Sequence, residues 1–335
     1  MPAPLVTVVV PTLAADDALA DCLRSLESQT FERFEVIVVD NSGARRANPN
    51  PSGRIARVIA NERNVGFGAA INQGFRASEA PYVATLNDDA VADPRWLETL
   101  AAAAEKRPRA GMFASEVRLT GERLDSAGML IAADGSSKQR GHGEPTANFA
   151  ELTDALLPSG SAALYRREML DQIGLFDESF FLYCEDTDLG LRARWAGWEC
   201  AYVPGAVVEH RYSHSAGRAS PLKAYYVERN RLYTAIKNFP PAMLARAPLA
   251  TLARYFWHVA SLMEGRGKAA EFRQAGYSAA LLPFLVLRAH ASALFHLPGL
   301  LRERRRIRRI ARLSAREFRS LLAEYSIGVR EVAAL

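Results

Sequence analysis

Val6 to Thr12 (VTVVVPT) is apolar at consecutive positions, rich in β-branched residues and closed by Pro11 and Thr12. Phe34 to Asp40 (FEVIVVD) repeats the pattern before the turn residues Asn41, Ser42 and Gly43. A strand with one wet face alternates apolar and polar residues. One that does not alternate is covered on both faces, which is the situation of a parallel sheet under helices. Between the two runs, Leu19, Cys22, Leu23 and Leu26 recur at helical spacing within Asp16 to Ser28. Strand, helix, strand in this form is the βαβ unit of an α/β fold.

The alternation continues. A strand is predicted over Arg57 to Ala60, a helix from about Gly68 out of the glycine-rich NERNVGFGAAINQGF, and a strand over Tyr82 to Leu86. Asn87, Asp88 and Asp89 follow, then a helix with Asp93 as its cap and Pro94 at its first position. Met112 to Leu119 reads as another strand. From Thr120 to Pro158 the periodicity fades into a long excursion of the functional kind, expected to shape an acceptor side. A strand over Ser161 to Tyr165 and a helix over Arg166 to Gly174 restore order. Beyond Pro240 no strand signal remains, which places a domain boundary near Phe239 to Pro241, with residues 1–240 as one domain and 241–335 as a helical, basic region.

FFLYCEDTDLGLRARWAGW, residues 180–198, gathers Glu185, Asp186 and Asp188 where a core is otherwise being built. Acids in the first turn of a helix running through Trp195 are stabilised by exposed amides and the positive dipole end. A carboxylate walled by Phe180, Phe181 and Tyr183 can equally serve as a general base, and the two readings are compatible.

In an open α/β sheet the ligand crevice lies beyond the carboxyl ends of the strands, and Thr12, Asp40, Asp88 and Asp89 all stand there. Singly, each also fits a turn. Together they suit a divalent cation that holds substrate phosphates with one or two carboxylates. The glycine-rich segment lacks the Lys-Ser/Thr of a Walker motif and does not match the dinucleotide fingerprint, so neither site is assigned.

With 335 residues, 49% hydrophobic and 24% charged, the chain is long enough for about two globular domains. Its three cysteines lie far apart, so neither a disulfide framework nor a zinc site is indicated, and a reducing cytoplasm fits. The N-terminal apolar run lacks a basic leader and reads as a first strand. Net charge is +5, but Leu301 to Arg319 holds nine arginines against Glu303 and Glu317, which points to an anionic partner. The preceding Ala279 to Leu301 is apolar yet contains Arg288, His290, His296 and two prolines, so it reads as a core helix or one lying in a membrane surface. The basic run is then either an anionic-membrane segment or a solvated helix packed on the protein. Nucleic acid is not expected as a partner, because the arginine run holds a single aromatic, Phe318, and no series of them to stack bases.

VVVPT, VIVVDNSG, NVGFGAAINQGF, LNDDAV, GLFDESFFLYCEDTDLGLRARWAGW, VPGAVVEHRY and YYVERNRLY, in this order and spacing, resemble the family 2 glycosyltransferases, in particular the bacterial rhamnosyltransferases, over roughly the first 240 residues. The resemblance implies a GT-A fold, an α/β architecture with a mostly parallel sheet and a C-terminal helical region. It implies a nucleotide-sugar donor, a Mg²⁺ or Mn²⁺ cofactor, inversion at the anomeric carbon and a glycan or polyprenyl-linked acceptor at the inner face of the cytoplasmic membrane. Pro11, Thr12, Asp40, Asn72 and Asp88 would line the nucleotide, Asp89 and His210 would hold the metal, and Asp186 with its neighbour Glu185 would supply the base. The first position of the DXD motif is Asn87, which can coordinate through its carbonyl oxygen but brings no charge, so weaker metal binding is expected unless Asp88 compensates. Two rivals remain: a sugar-nucleotide pyrophosphorylase, whose signature after the first strand PTLAADD does not supply, and a degenerate scaffold with a membrane- or partner-binding tail.

Overall fold

The computed structural model describes residues 3–47, 55–119, 122–210 and 219–334. It divides into two compact units: Met1–Met129 with Gln139–Phe181 and Trp198–Ser215, and Leu130–Lys138 with Leu182–Gly197 and Ala216–Leu335. In chain order the first unit begins with β1 (Val6–Thr12), α1 (Asp17–Glu27), β2 (Phe34–Asp40), β3 (Ile55–Ala60), α2 (Phe67–Arg76), β4 (Tyr82–Leu86), β5 (Ala90–Ala92), α3 (Trp96–Lys106), β6 (Ala110–Arg118) and β7 (Leu124–Ser126). The chain runs through β8 (Met129–Ala132) and β9 (Ser137–Gln139), then adds β10 (Thr153–Asp154), β11 (Ala162–Arg166) and α4 (Arg167–Ile173) to the first unit. α5 (Glu185–Trp195) belongs to the second unit and β12 (Glu199–His210) to the first. The second unit is completed by α6 (Pro221–Asn238), α7 (Pro241–Met263), α8 (Gly267–Gln274), α9 (Leu281–Phe295), α10 (Leu297–Ile310), α11 (Ala315–Glu324), β13 (Ser326–Ile327) and α12 (Val329–Ala334).

The main sheet has the order β10-β12-β6-β11-β4-β1-β2-β3, with β5 added on β12 and β7 on β6. Its run β4-β1-β2-β3 is parallel, β12 is parallel to β6, and β11 is antiparallel to both neighbours. The consecutive apolar residues of β1 have the cause inferred from sequence. Val8 and Val10 pack with Leu19, Cys22 and Leu26 of α1. Val9 faces α2, where a Cβ at Gly74 would stand 2.5 Å from its methyls, so only glycine lets the helix approach this closely.

Several details depart from the sequence pattern. α3 starts at Trp96, with Asp93 forming a turn ahead of it: Asp93 Oδ1 accepts from the Arg95 amide at 2.9 Å, and its carbonyl accepts from the Trp96 amide at 2.9 Å. An Asp side chain satisfies a turn as readily as a cap, and here the turn wins. Residues 90–92 and 199–210 form strands that the sequence reading did not assign, and the tail contributes the two-residue β13 to β8. The apolar 279–301 stretch breaks at His296 into α9 and α10, bent by 63°.

In the second unit, buried ion pairs position the helices. The fully buried Asp188 of α5 accepts from Arg192 Nε at 2.9 Å, from Lys237 Nζ at 2.8 Å and from Asn238 Nδ2 at 2.9 Å, which pins α5 to the end of α6. Trp195 stacks on Phe318 at 3.8 Å, has the Arg308 guanidinium 3.4 Å from its ring centroid, and donates to the Asn238 carbonyl at 2.9 Å. Two arginines of the basic run thus turn inward: Arg304 donates to the Ile236 carbonyl, and Arg308 to those of Asn238 and Phe239. These are the orphan acceptors at the negative end of α6. Arg302, Arg305, Arg306 and Arg309 stay exposed along the same helix.

A second buried cluster joins the β8–β9 turn to α6 and α7. Asp134 accepts from Arg254 Nε at 2.5 Å, and Glu228 accepts from Arg254 Nη2 at 2.6 Å and from Arg231 Nε at 3.0 Å. Burial alone would raise the Glu228 carboxyl, but the two guanidiniums outweigh it and hold it down at about 2, against an ordinary 4.5. A depressed carboxyl contributes stability in full above its unfolded value and loses it as pH falls through the folded one. Glu228→Gln is expected to cost about 3 kcal/mol at neutral pH, because it leaves two buried guanidiniums under-paired. Urea unfolding should show this loss at pH 7 and show it shrinking between pH 4.5 and 2; equal wild-type and variant stabilities at pH 7 would remove the cluster's anchoring role.

Candidate active site

In the first unit Pro11, Thr12, Asp40, Asp88 and Asp89 stand at the carboxyl ends of β1, β2 and β4. β1 and β2 pair in register through Pro11↔Val39 and Thr12↔Asp40, so Pro11, Thr12 and Asp40 form one edge. Burial would raise the Asp40 carboxyl, but the Ser42 hydroxyl and the amides of Ala47, Ser42 and Arg46 hold it below the usual range. Those amide bonds, 2.8 Å from Ser42 N to Oδ1 and 2.8 Å from Ala47 N to Oδ2, fold the loop after β2 around its carboxylate. Asp88 lies beside the end of β1, where the Thr12 hydroxyl and the Leu13 amide favour its charged form, but burial and the charges of Asp89 and Asp16 outweigh them and push its carboxyl up.

Asp89 meets His210. β5, the three residues after Asp89, pairs antiparallel with the end of β12 in the register His210↔Ala90, Glu209↔Val91 and Val208↔Ala92. His210 Nε2 consequently lies 3.2 Å from Asp89 Oδ1 and 3.3 Å from Asn87 Nδ2. Burial would lower the imidazole, but hydrogen bonds to Asp125 and Asp89, with their charges, bring it up to about 9. Asn87 Oδ1 is buried with no hydrogen-bond partner. A half-turn of the amide, whose two ends are interchangeable in shape, aims that oxygen toward Nε2 and Asp89.

No cluster of three His, Cys, Asp or Glu side chains forms a self-sufficient metal cage among the described residues. One carboxylate, one imidazole and the side-chain amide of Asn87 converge instead, and the half-turned amide supplies an oxygen as the third donor. That donor set fits a Mg²⁺ or Mn²⁺ ion which takes its remaining ligands from phosphates and water.

Asn72, expected from the resemblance to line the nucleotide, has its side-chain amide engaged within the protein. It is buried on α2, donates to the Phe176 carbonyl at 2.9 Å and to Glu178 Oε1 at 2.9 Å, and accepts from the Phe176 amide at 3.0 Å. Its amide is a clamp inside the first unit. This is invisible in the sequence, because a buried Asn on an apolar helix face looks the same whether its partner is a ligand or a backbone.

In the second unit, Glu185 and Asp186 occupy the first turn of α5, as the helix-start pattern indicates. The turn that delivers them is strained: Phe181, Tyr183 and Cys184 all have left-handed backbone, with φ of 63°, 70° and 64°. Asn230 holds the strained turn by donating to the carbonyls of Leu182 and Tyr183 at 2.8 and 2.7 Å. Such strain persists only where surrounding structure enforces it, and it concentrates at functional sites. Burial, with the neighbouring Asp186 charge, pushes the Glu185 carboxyl up to about 8. A protonated Glu185 leaves the pair a single negative charge on the less buried Asp186, whose Oδ1 accepts from the Thr187 amide at 2.6 Å and the Thr187 hydroxyl at 3.2 Å.

Sequence reasoning missed Asp125 and His142, both from the 120–158 excursion. Asp125 Oδ2 lies 3.1 Å from His210 Nδ1, and Asp125 Oδ1 lies 3.1 Å from His142 Nδ1. The one available signal, an acid and a histidine amid turn residues, is too common to select them.

Residues 7–174 match the sequence profile described as glycosyl transferase family 2. The chain is 32% identical over 248 residues to the N-acetylglucosaminyl-diphospho-decaprenol L-rhamnosyltransferase of Mycobacterium tuberculosis, covering 65% of this chain and 80% of that protein. Among solved structures, it is similar to GalNAc-T7 with UDP, GalNAc and Mn²⁺, at TM-score 0.55 and 14% identity, over 70% of this chain and 48% of that one. It is also similar to the mannosyltransferase PcManGT of Pyrobaculum calidifontis with GDP-Man and Mn²⁺, at TM-score 0.53 and 17% identity, over 96% of this chain and 86% of that one. The fold is GT-A, and the chain belongs to glycosyl transferase family 2. The Mycobacterium tuberculosis relative is a rhamnosyltransferase. Family membership sets aside the pyrophosphorylase alternative.

Asp89→Ala and His210→Ala are each expected to weaken Mn²⁺ binding by more than about tenfold in calorimetry with a nucleoside diphosphate present, Asp89 the more because it removes a charge as well as a donor. Unchanged affinity in both variants would take the cation away from these residues.

Proposed function

We propose that this chain is an inverting, metal-dependent glycosyltransferase that moves rhamnose from a dTDP- or UDP-linked donor to a hydroxyl of a polyprenyl-diphosphate-linked sugar in cell-envelope polysaccharide synthesis, with residues 1–240 as its catalytic region. The observation that carries the reading is the convergence of Asp89, His210 and Asn87 at the strand ends of a family 2 fold. Similarity to a rhamnosyltransferase whose named acceptor is a diphospho-decaprenol supports the sugar and the lipid-linked acceptor.

When bound, the divalent ion neutralises charge developing on the departing diphosphate. Asp89, His210 and Asn87 would hold it, and the imidazole in that set favours Mn²⁺ over the harder Mg²⁺. Pro11, Thr12 and Asp40 give the nucleoside an edge to rest on, and Asp88 braces that edge through Thr12. Asp186 takes the proton from the acceptor hydroxyl as that oxygen bonds to the anomeric carbon, and the bond to the nucleoside diphosphate breaks with its electron pair leaving on phosphate. Glu185, neutral in its buried position, keeps a second negative charge away from the base. A single displacement with one base requires no nucleophile from the protein.

Purified protein assayed with dTDP-rhamnose, UDP sugars and an N-acetylglucosaminyl-diphospho-polyprenol tests the whole reading. Asp186→Asn is expected to lower kcat by about 100-fold or more while nucleotide affinity stays within about twofold. Full turnover in that variant excludes the base assignment, and no transfer or hydrolysis of any donor by the wild type would favour the degenerate-scaffold alternative.

The same reading places the protein at the inner surface of the cytoplasmic membrane. No single helix among the described residues is long and apolar enough to cross a bilayer, and the α9–α10 pair that would pass by length and composition together is bent. α7 instead carries Leu249, Leu252, Phe256, Val259 and Met263 exposed at spacings of three and four, and α9 carries Phe284, Leu287, Leu294 and Phe295 exposed. The exposed arginines of α10 begin two helical turns beyond Phe295, where apolar side chains entering a bilayer would bring them to anionic headgroups, each worth about 1 kcal/mol near such a surface. Flotation with vesicles containing anionic lipid should capture the protein, and Phe256→Ser/Phe284→Ser/Phe295→Ser should release it. Flotation that is equal with neutral vesicles would remove the headgroup role of the arginines, and flotation unaffected by these changes would leave the apolar faces without a membrane role.

A further inference from the structure

Asp125 belongs to β7, inside the excursion for which the sequence suggests no residue roles. β6 is flanked at Val117 and Arg118 by β7 on one side and β12 on the other, which brings Asp125 and His210 to the same place from opposite sides of one strand. Each Asp125 oxygen has its own imidazole: Oδ2 lies 3.1 Å from His210 Nδ1 and Oδ1 lies 3.1 Å from His142 Nδ1. His142 Nδ1 is also 3.2 Å from the Asp125 carbonyl, so the ring grips both the side chain and the backbone of the acid. The Asp125 side chain is 3% exposed and that of His142 32%.

We propose that Asp125 is a positioning residue that fixes the ring orientation and tautomer of His210 and so makes Nε2 a cation ligand, with His142 as the strut that holds Asp125 in place. The inference rests on the metal reading above. An ionised carboxylate has no hydrogen to give, so the ring nitrogen facing it must carry one. With the hydrogen on Nδ1, the lone pair of neutral His210 is on Nε2, the atom beside Asp89 and Asn87. Turning the ring over replaces Nδ1 by carbon opposite Asp125 and breaks the bond, which selects one of the two orientations. Carboxylate partners of this kind set ligand tautomer and basicity in metal sites, and their loss costs about 10–100-fold in metal affinity. Asparagine at 125 keeps the volume but offers one carbonyl oxygen to two ring N–H groups, so one of the imidazoles faces an amide donor.

The test uses Mn²⁺ as probe with a nucleoside diphosphate, read by electron paramagnetic resonance without any turnover. The wild type is expected to bind Mn²⁺ and to show nitrogen modulation from a coordinated imidazole. In Asp125→Asn the affinity should fall by about 10–100-fold and the nitrogen modulation should weaken or vanish, with Asp125→Glu recovering part of both. His142→Leu, made at the more exposed end of the chain of contacts, should give a smaller loss in the same direction and serves if the Asp125 variants do not fold. Wild-type affinity and undiminished nitrogen modulation in folded Asp125→Asn, or in His142→Leu should the former not fold, overturn the positioning role and leave the metal site standing. Absence of Mn²⁺ binding in the wild type overturns the metal reading itself.

Discussion

Three residue pairs of antiparallel ladder, Ala90 to Ala92 against Val208 to His210, are the constraint from which the site follows. β4 leaves Asn87 to Asp89 at its end, but a strand end alone gives only a turn with acids in it. The short β5 then turns the chain back along β12, and the register puts an imidazole from late in the domain beside Asp89. A slip of one residue would send His210 to the opposite face of the sheet, because side chains alternate with period two. The backbone hydrogen bonds of a three-residue strand, not any side-chain affinity, therefore decide whether the donors converge.

The second unit solves a different problem, that of holding a strained turn and a polar helix start in a buried place. α5 has little amphipathic character of its own, and ten of its eleven residues are buried, charged ones included. Its position comes from Asp188, which accepts from Arg192, Lys237 and Asn238, and from Trp195 between Phe318 and Arg308. Some of the arginines that make the tail so basic are thereby structural, while their exposed neighbours remain for an anionic surface. A charge run was thus neither wholly a solvated face nor wholly a binding patch, since α10 presents different arginines on different sides.

Much of the first unit was legible because its cause is local. There β1, β2 and β4 are read from apolar runs and α1 from its spacing; in the second unit α5 is read from acids at a helix start, and in each case the signal lies within about one element. α3 was misjudged at its start because Asp93 satisfies a turn and a cap with the same chemistry. β5 and the end of β12 were not assigned, since a three-residue strand carries too few side chains to show a period. The hydrogen bonds of Asn72 are hidden for a related reason: all three go to Phe176 and Glu178, which are distant in sequence.

What the sequence determined on its own was the βαβ grammar of the fold; the family, and Asp89, His210, Glu185 and Asp186 as candidate site residues, came from the resemblance that the order and spacing of its motifs carry. Only the tertiary structure decided that Asn87 stands with Asp89 and His210, that Asp88 turns instead to Thr12, and that Asp125 and His142 back the imidazole from an excursion that looked featureless. The difference has one physical reason. Hydrophobic periodicity is imposed by an element's own burial and so is written along the sequence, whereas the partner of a polar atom is chosen by whichever distant strand the register brings within hydrogen-bond reach.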